Sequence, residues 1–505
     1  MFPLMARTDV RVGRTPSAQS AGEPSKPLIA ATVAYAASAG IGLALGLLAP
    51  NPVVFVALAV LAGIQALGLI AKEWHRVGDP LTPIGVLGMT SLLLFCLRPI
   101  AIWRTGTTTA GAAADSRPFQ GVTVAAGTAA LGEVALFLGI CGALVTLHAA
   151  FRPALPRSPG GPCGMSLRRA RWVLVAALAV CVAMSGMLVV TSGGLTAHLR
   201  GLSLRSSFLG GRFALTLGYV PLGVGLSAYL LARRLNHARR QWDALAIVGI
   251  VILIGATVLT GGRGPLLLGA ILPLLVLLQT GPKAWRGSVL LGAGLVLAIG
   301  AMVMSILLRE NAYTSGEAVR ALLSDPFGTL LTRVTDGVEA RPFDSLVLLN
   351  EVALQGRLVP QSGATYLAVL TWFVPGSLIA KTGGANTWFT MNYLPRYYYP
   401  DRIETSISVV GEGFANFGYV GVAVAAVCLT LVAIWLGTLR AHPSKPQTLY
   451  LVMLTPMFFS MVRGDAYQNV SLAIMILTLC ALTLLFLRER PGLGDARPAE
   501  ASADA

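Results

Sequence analysis

Apolar stretches long enough to cross a membrane recur along nearly the whole chain, and this recurrence limits the possible folds more than any other feature. A bilayer core about 30 Å thick is crossed by a helix of roughly 20 apolar residues. Charged residues make up only 12% of the chain, against about 25% in a typical soluble domain. Because lipid offers no hydrogen-bond partners to an open backbone, the sequence predicts an all-α polytopic integral membrane protein.

The apolar stretches divide the chain into membrane-spanning and polar parts. We predict about twelve transmembrane helices, with helices 1–9 in residues 28–308 and helices 10–12 in residues 419–487. One large loop, residues 309–418, separates the two groups, and the polar residues 1–27 and 488–505 are expected to form disordered tails. The predicted helices cover residues 28–49, 53–71, 81–97, 122–149, 172–192, 213–232, 244–260, 265–280, 288–308, 419–438, 447–462 and 469–487.

The distribution of positive charge predicts the orientation in the membrane. Short polar connections such as Arg168-Arg169 and Arg233-Arg234 are basic, and the positive-inside rule places them in the cytoplasm. Both tails are then cytoplasmic, and residues 309–418 are extracytoplasmic. The net charge of +16 follows from this topology and from anionic lipid headgroups. We therefore expect contact with membrane lipids and no nucleic-acid partner.

The sequence predicts no metal site and no cofactor. The six cysteines are scattered, without a CxxC pair or a His/Cys cluster, and no P-loop is present. Ionisable residues inside the predicted helices are rare, with Glu133 the main exception, which disfavours a charged transport path through the bundle. Polar residues gather in the large loop instead, and chemistry is expected there.

Arginine dominates the cations of the predicted outer face, where Lys381 is the exception. The planar guanidinium group suits bidentate contact with phosphate, so this face is expected to bind an anion such as a pyrophosphate. The alternative is that arginine is simply the cation that this chain prefers. The candidates for anion binding include Arg263, Arg309, Arg341, Arg396 and Arg463.

Two of these arginines lie in short glycine-containing turns between predicted helices. Arg263 follows Gly261-Gly262, where backbone N–H groups could approach an anion at a helix start. Its alternative is a hairpin turn whose arginine snorkels to the interface. Arg463 precedes Gly464-Asp465, and pairing with Asp465 is an equally natural fate.

The end of the large loop contributes further candidates. Glu412 precedes the tenth predicted helix, where a carboxylate could act as a general base or accept sugar hydroxyls. Asn416, four residues later, is a candidate for substrate binding. Alternatively, Glu412 and Asn416 cap helix ends. Residues 366–380 are apolar but too short to span, which suits an interfacial or re-entrant helix. Trp372 in that segment could anchor at the interface or stack on a sugar ring.

Several of these motifs resemble one family of membrane enzymes. Residues 406–421, which read Ser-Ile-Ser-Val-Val-Gly-Glu-Gly-Phe-Ala-Asn-Phe-Gly-Tyr-Val-Gly, resemble the end of the large outer loop in Wzy-type oligosaccharide repeat-unit (O-antigen) polymerases. Residues 373–375, the glycine-rich turn at residues 260–264 and the turn at residues 463–465 are similar to that family too. The resemblance covers roughly residues 195–470.

The resemblance implies a GT-C-like, metal-independent glycosyltransferase of the bacterial cytoplasmic membrane. It would join undecaprenyl-pyrophosphate-linked oligosaccharide repeat units at the outer leaflet and release undecaprenyl pyrophosphate. It further implies that Arg263, Arg341 and Arg463 bind the leaving group, with Glu412 or Asp344 as the base. A chain-length regulator and a flippase would be partners.

Other functions stay open at this stage. The related O-antigen ligases place a histidine in the large loop, and residues 309–418 contain none, which favours a polymerase. A ligase-like transfer of glycan to another acceptor is nevertheless an alternative. So are a lipid-linked oligosaccharide flippase or transporter and a non-catalytic assembly subunit.

Overall fold

The structure is a computed structural model whose described part is helical. It describes residues 26–77, 79–104, 123–151, 165–201, 213–236, 243–260, 324–325, 341–374, 378, 383–395, 404–440 and 446–488. Within these ranges there is no β-strand; an isolated antiparallel bridge joins Met165 to Arg488. The helices are α1 (Lys26–Leu48), α2 (Pro52–Val77), α3 (Pro83–Ser91), α4 (Leu97–Arg104), α5 (Val124–Phe151), α6 (Leu167–Thr191), α7 (Leu195–Gly201), α8 (Phe213–Thr216), α9 (Tyr219–Leu235), α10 (Ala244–Thr260), α11 (Arg341–Leu354), α12 (Ala364–Trp372), α13 (Ala385–Tyr393), α14 (Ser408–Leu439), α15 (Thr448–Leu454), α16 (Met457–Arg463) and α17 (Ala466–Leu487).

By length and composition, seven helical stretches in the described ranges can cross a membrane. They are Lys26–Leu48, Pro52–Arg76, Pro83–Ile100, Val124–Phe151, Leu167–Thr191, Ser408–Leu439 and Ala466–Leu487. Ala244–Ala256 and Thr448–Arg463 are shorter apolar helices. The prediction of an all-α polytopic membrane protein is confirmed. The predicted helices at 265–280 and 288–308 lie outside the described residues, so the number twelve stays a prediction.

Helix α5 lies at the centre of the bundle, in contact with α1, α2, α11 and α14. Small residues allow the closest of these approaches: a Cβ atom on Gly46 of α1 would lie 3.0 Å from the Cα of Gly132. Helices inside a membrane gain stability from this kind of close contact because lipid supplies no hydrophobic force between them. The side chain of Glu133, which the sequence placed at membrane depth, is fully buried in this core.

Several predicted helices match the structure closely, and two are broken where the sequence predicted a continuous helix. The stretch 244–260 is helical over the whole predicted range. The predicted helix at 213–232 is interrupted by a turn at Leu217-Gly218. The one at 447–462 is interrupted at Thr455-Pro456, because proline has no N–H group to continue the hydrogen-bond ladder.

The third predicted span contains Pro83, which the helix accommodates at its first turn. Thr82 is the N-cap, and its Oγ1 accepts a hydrogen bond from the Gly85 N–H at 2.9 Å. Proline at the first helical position loses no intrahelical hydrogen bond. A π-helical turn at Leu92–Cys96 then joins α3 to α4, and Arg98 is the second residue of α4.

The predicted start of the tenth helix coincides with a kink in a longer one. Helix α14 begins at Ser408, inside the segment assigned to the large loop, and its backbone leaves helical geometry at Phe417 and Gly418. Gly418 has φ +59°, which favours glycine. At the kink the two halves approach closely, since a Cβ on Gly413 would lie 2.8 Å from the carbonyl oxygen of Gly421.

Short helices occupy the segment between the two groups of spans, as the sequence predicted. Helix α11 is amphipathic in sequence yet largely buried, and it packs against α5 and α14. Helix α12 has nine residues and packs against α17. A helix of nine residues is too short to cross a membrane, and the interfacial position of this stretch stays a prediction.

A buried ion pair fixes α11 to the bundle. Arg98 Nε lies 3.1 Å from Asp344 Oδ1, and Arg98 Nη2 lies 3.3 Å from Oδ2. The two side chains are 3% and 5% exposed. Removing either side chain of a buried ion pair strongly destabilises the fold, because the charge of the other side chain then loses its buried counterion.

We expect Asp344→Asn to lower the free energy of unfolding by about 3–5 kcal/mol, because it leaves the Arg98 charge buried without its counterion. Thermal unfolding in a single detergent measures the effect. The matched control is Asp243→Asn, which breaks the more exposed pair with Arg233 and should shift the midpoint much less. Equal shifts in the two variants would contradict the assigned role of the buried pair.

Gly413→Ala should destabilise the protein by about 1–3 kcal/mol, because the added methyl group overpacks the crossing of the two halves of α14. Gly437 lies in the same helix, and a Cβ there would meet one atom within 4 Å, Arg76 Nη2 at 3.8 Å. Gly437→Ala is therefore the matched control, with a neutral or slightly stabilising effect expected. If the unfolding midpoints of both variants equal that of the parent protein, the close crossing of the two halves of α14 does not constrain the helix.

Candidate active site at the kink of α14

Glu412 lies at the centre of a buried polar node formed by α12, α14 and α17. Its Oε1 accepts a hydrogen bond from the Thr365 hydroxyl at 2.8 Å, and its Oε2 accepts one from the Ala466 N–H at 2.6 Å. Ala466 is the first residue of α17, and its N–H is a donor that an isolated helix leaves without a partner. The fully buried carboxyl thus joins the first half of α14 to the start of another helix.

Asn416, one turn after Glu412, joins the same node to α12. Its Oδ1 accepts a hydrogen bond from the Gly363 N–H at 2.9 Å, and Gly363 is the N-cap of α12. Its Nδ2 donates to Thr365 Oγ1 at 2.7 Å and to the Glu412 carbonyl at 2.8 Å. The helix-capping interpretation of Glu412 and Asn416 is therefore confirmed, with donors supplied by two other helices.

Asp465 joins α17 to α13 on the neighbouring side of the node. As N-cap of α17 it accepts from the Gln468 N–H at 3.2 Å, and its other oxygen accepts from the Asn386 N–H at 2.9 Å. Asn386 Oδ1 in turn accepts from the Ile407 N–H at 2.9 Å. Gly384 makes this approach possible, since a Cβ there would lie 3.0 Å from Asp465 Cγ. The chain before α13 passes too close to Asp465 for a larger residue.

Glu404 is the exposed carboxylate of this region. Its Oε1 accepts from the Thr387 hydroxyl at 2.6 Å, and its Oε2 accepts from Gln468 Nε2 at 3.5 Å. Although the residue is exposed, the carboxyl lies between these side chains. Partial burial and the negative charge of Asp465 raise the pKa of Glu404. Burial also raises the pKa of Asp465 itself, because desolvation disfavours the charged form.

Arg463 is the last residue of α16, and its backbone carbonyl group contacts the residues next to the node. The Ser406 hydroxyl donates to the Arg463 carbonyl oxygen. The Arg463 side chain is half-buried. The turn that follows, Gly464-Asp465, leads into the N-cap of α17. The turn at 463–465 and the string at 406–421, far apart in sequence, are therefore in direct contact.

The other predicted site residues occupy different places. Asp344 is paired with Arg98, as described above. Arg341 begins α11 and is half-buried; α11 and α16 both pack on α14. Trp372 ends α12 and makes an edge-to-face contact with Phe373, their ring centroids 5.0 Å apart. Three further predicted arginines, Arg263, Arg309 and Arg396, lie outside the described residues.

Sequence reasoning did not find Thr365, Asn386 and Thr387. Thr365 bridges Glu412 and Asn416, while the other two lie beside Asp465 and Glu404. Asn386 and Thr387 lie just after Gly383-Gly384, separated from them by Ala385, and this glycine pair was a local indication of a tight turn. Nothing in the sequence distinguishes Thr365 from other threonines. In the ranges that the structure covers, no group of three or more His, Cys, Asp or Glu residues is arranged to hold a metal ion.

These observations define a multi-pass α-helical membrane protein with a polar site where its kinked helix meets α12, α13 and α17. A comparison with protein families matches residues 243–491 to the family described as O-antigen polysaccharide polymerase Wzy. The matched range contains the whole polar node, so this part of the chain is similar to the Wzy family, and the resemblance expected from the sequence is confirmed. No curated protein and no solved structure that we compared matches the chain.

We expect Glu412→Gln to destabilise the protein by about 1–3 kcal/mol, because a buried donor loses its acceptor. A glutamine offers one oxygen where the carboxyl offers two, so the Ala466 N–H or the Thr365 hydroxyl is left facing an NH₂ group. Thermal unfolding measures this, with the exposed Glu404→Gln as the matched carboxyl-to-amide control. A Glu412→Gln midpoint equal to that of Glu404→Gln would refute the structural role.

Proposed function

We propose that this protein is a polysaccharide polymerase that joins undecaprenyl-pyrophosphate-linked oligosaccharide repeat units. One lipid-linked chain would be the glycosyl donor, and a hydroxyl group of a second lipid-linked repeat would attack the anomeric carbon of that donor. One observation carries this proposal: the range that matches the Wzy family contains every residue of the buried node around Glu412. Chemistry is expected at such a site, where several distant stretches of the chain hold polar side chains together.

The expected reaction has one demanding requirement, which is the stabilisation of a pyrophosphate leaving group. Guanidinium groups can supply positive charge to the phosphate oxygens without a metal ion. Arg463 is the best-placed candidate among the described arginines, because its backbone is tied to Ser406 at the node. Arg341, Arg263, Arg309 and Arg396 stay in the proposed binding set, and the enzyme is proposed to be metal-independent.

Glu412, Asn416 and Thr365 are proposed to position the site. Both oxygens of Glu412 are occupied by hydrogen bonds from Thr365 and Ala466, and the carboxyl has no exposed surface. A base must reach the proton that it removes, and the described geometry therefore favours a positioning role for Glu412. The same argument applies to Asp344, whose carboxylate holds α11 through its pair with Arg98.

The proposed location is the bacterial cytoplasmic membrane, with both termini in the cytoplasm and the polar node on the extracytoplasmic side. Basic connections such as Arg233-Arg234 at the end of α9 support this orientation. The substrates then reach the node from the outer leaflet, and the aromatic side chains of α12, including Trp372, are placed to contact lipid or sugar. A flippase that delivers repeats and a chain-length regulator are the proposed partners.

Purified protein in nanodiscs, given short lipid-linked repeat units, should produce a ladder of longer lipid-linked products. EDTA should not change the rate, because no step in the proposed mechanism requires a divalent cation. Arg463→Ala should reduce the rate by about 10²–10³-fold, since charge stabilisation of this kind is worth that much in other enzymes. The ladder is resolved by gel electrophoresis of labelled glycan.

The matched control is Arg357→Ala, which removes an exposed cation that contacts Gln355. Its ladder should equal that of the parent protein. Transfer of the glycan to a non-isoprenoid acceptor would instead identify a ligase. Protected movement of the lipid across a liposome bilayer, without any ladder, would identify a transporter and refute the proposal.

A further inference from the structure

The carboxylates around the polar node differ sharply in what they can still bind. Glu412 and Asp465 are 0% and 2% exposed, and both oxygens of each accept hydrogen bonds from the protein. Glu404, in contrast, is an exposed residue. Each of its two carboxylate oxygens accepts one hydrogen bond from a side chain. A carboxylate oxygen can accept more than one hydrogen bond, so Glu404 retains capacity for an external donor.

Glu404 is also held in a defined position. The Thr387 hydroxyl on α13 donates to one oxygen at 2.6 Å, and Gln468 on α17 donates to the other at 3.5 Å. Both anchoring helices are fixed to the node, α13 through Asn386 and α17 through Asp465. A carboxylate that is exposed and yet oriented from two sides has the arrangement that proton transfer to or from a bound ligand requires.

An aromatic side chain next to Thr387 in sequence is suited to a sugar ligand. Trp388 follows Thr387 directly, is half-buried, and makes an edge-to-face contact with Tyr393, with ring centroids 5.5 Å apart. Aromatic faces of this kind provide stacking surface for apolar faces of ligands.

We propose that Glu404 is the general base of the polymerase, acting on the attacking hydroxyl group of the acceptor sugar, which lies beside Trp388. This inference rests on the proposed polymerase function. It assigns the base to a residue outside the string at 406–421, and it separates that residue from the two buried carboxylates, which position α13, α14 and α17.

In the proposed step, the acceptor hydroxyl gives its proton to the ionised carboxylate of Glu404, and its oxygen forms the new bond to the anomeric carbon of the donor. The bond between that carbon and the pyrophosphate oxygen breaks, and the electron pair leaves with the lipid pyrophosphate. The protonated Glu404 then releases its proton to water, since the residue is exposed.

The first test compares Glu404→Gln with the parent protein in the ladder assay. We expect kcat to fall by about 10²–10⁴-fold, with KM for the lipid-linked repeat within about twofold and the unfolding midpoint unchanged. Formate should restore part of the activity of Glu404→Ala, because a small carboxylate can enter the vacated space. Asp325→Asn, the same change at another exposed carboxyl of the large loop, is the control and should retain full activity.

The second test uses the pH dependence of kcat in Thr387→Val. The hydrogen bond from Thr387 lowers the pKa of Glu404, because it stabilises the ionised form. Its removal should move the acidic limb of the profile to higher pH, since the base must be ionised to act. A limb that stays in place in Thr387→Val, or full kcat in Glu404→Gln, would overturn the assignment.

The two proposals fail in distinguishable ways. A parent protein that produces no ladder refutes the polymerase function, whatever the variants do. A ladder from the parent protein that persists at full rate in Glu404→Gln leaves the polymerase function standing and refutes the base. Loss of activity with a lowered unfolding midpoint and no rescue by formate would mean that Glu404 is structural, which also refutes the base.

Discussion

The candidate site depends on one hydrogen bond, from the Ala466 N–H at the start of α17 to the Glu412 carboxyl in the first half of α14. One partner is the first residue of a membrane-spanning helix, and the other lies just before the kink of α14. Because the acceptor is fully buried, the backbone donor cannot exchange it for water without a large cost. Thr365 and Asn416 then extend the same constraint to α12. Three helices are thereby fixed relative to one another by side chains that make no contact with the lipid.

The kink of α14 is the condition for this arrangement. Without the break at Phe417 and Gly418, residues 408–416 would continue in the direction of the long helix that follows. The close approach of Gly413 to Gly421 leaves no room for side chains at the crossing. In the string at 406–421, Gly413 and Gly421 therefore allow the close packing, and Gly418 allows the turn. The acidic and amide side chains of the string connect to neighbouring helices.

The sequence predicted several of the apolar helices well because their physical basis is local. A run of apolar residues in lipid must satisfy its own backbone hydrogen bonds as a helix wherever it occurs, and the stretch 244–260 is helical over its whole predicted range. The site was predicted only in part. The turn at 463–465 and the string at 406–421 were both candidates from their similarity to one family, and the structure added their direct contact. Thr365 and Asn386 were not found, because a hydrogen bond between residues far apart in sequence leaves no local pattern. The broken helix at Leu217-Gly218 was missed because hydropathy does not register a single turn.

By itself, the sequence determined that this protein is an all-α membrane protein with its polar chemistry concentrated between two groups of spans. That follows from the cost of exposing backbone polar groups to lipid, which acts on every stretch of the chain independently. Only the tertiary structure decided which carboxylates are buried and which are exposed. Glu412, Asp344 and Asp465 carry the same group as Glu404, but they are buried and bonded to their partners Ala466, Arg98 and Asn386, whereas Glu404 is exposed. Whether a carboxylate is occupied or available depends on these distant donors, and they are brought together only when the bundle packs.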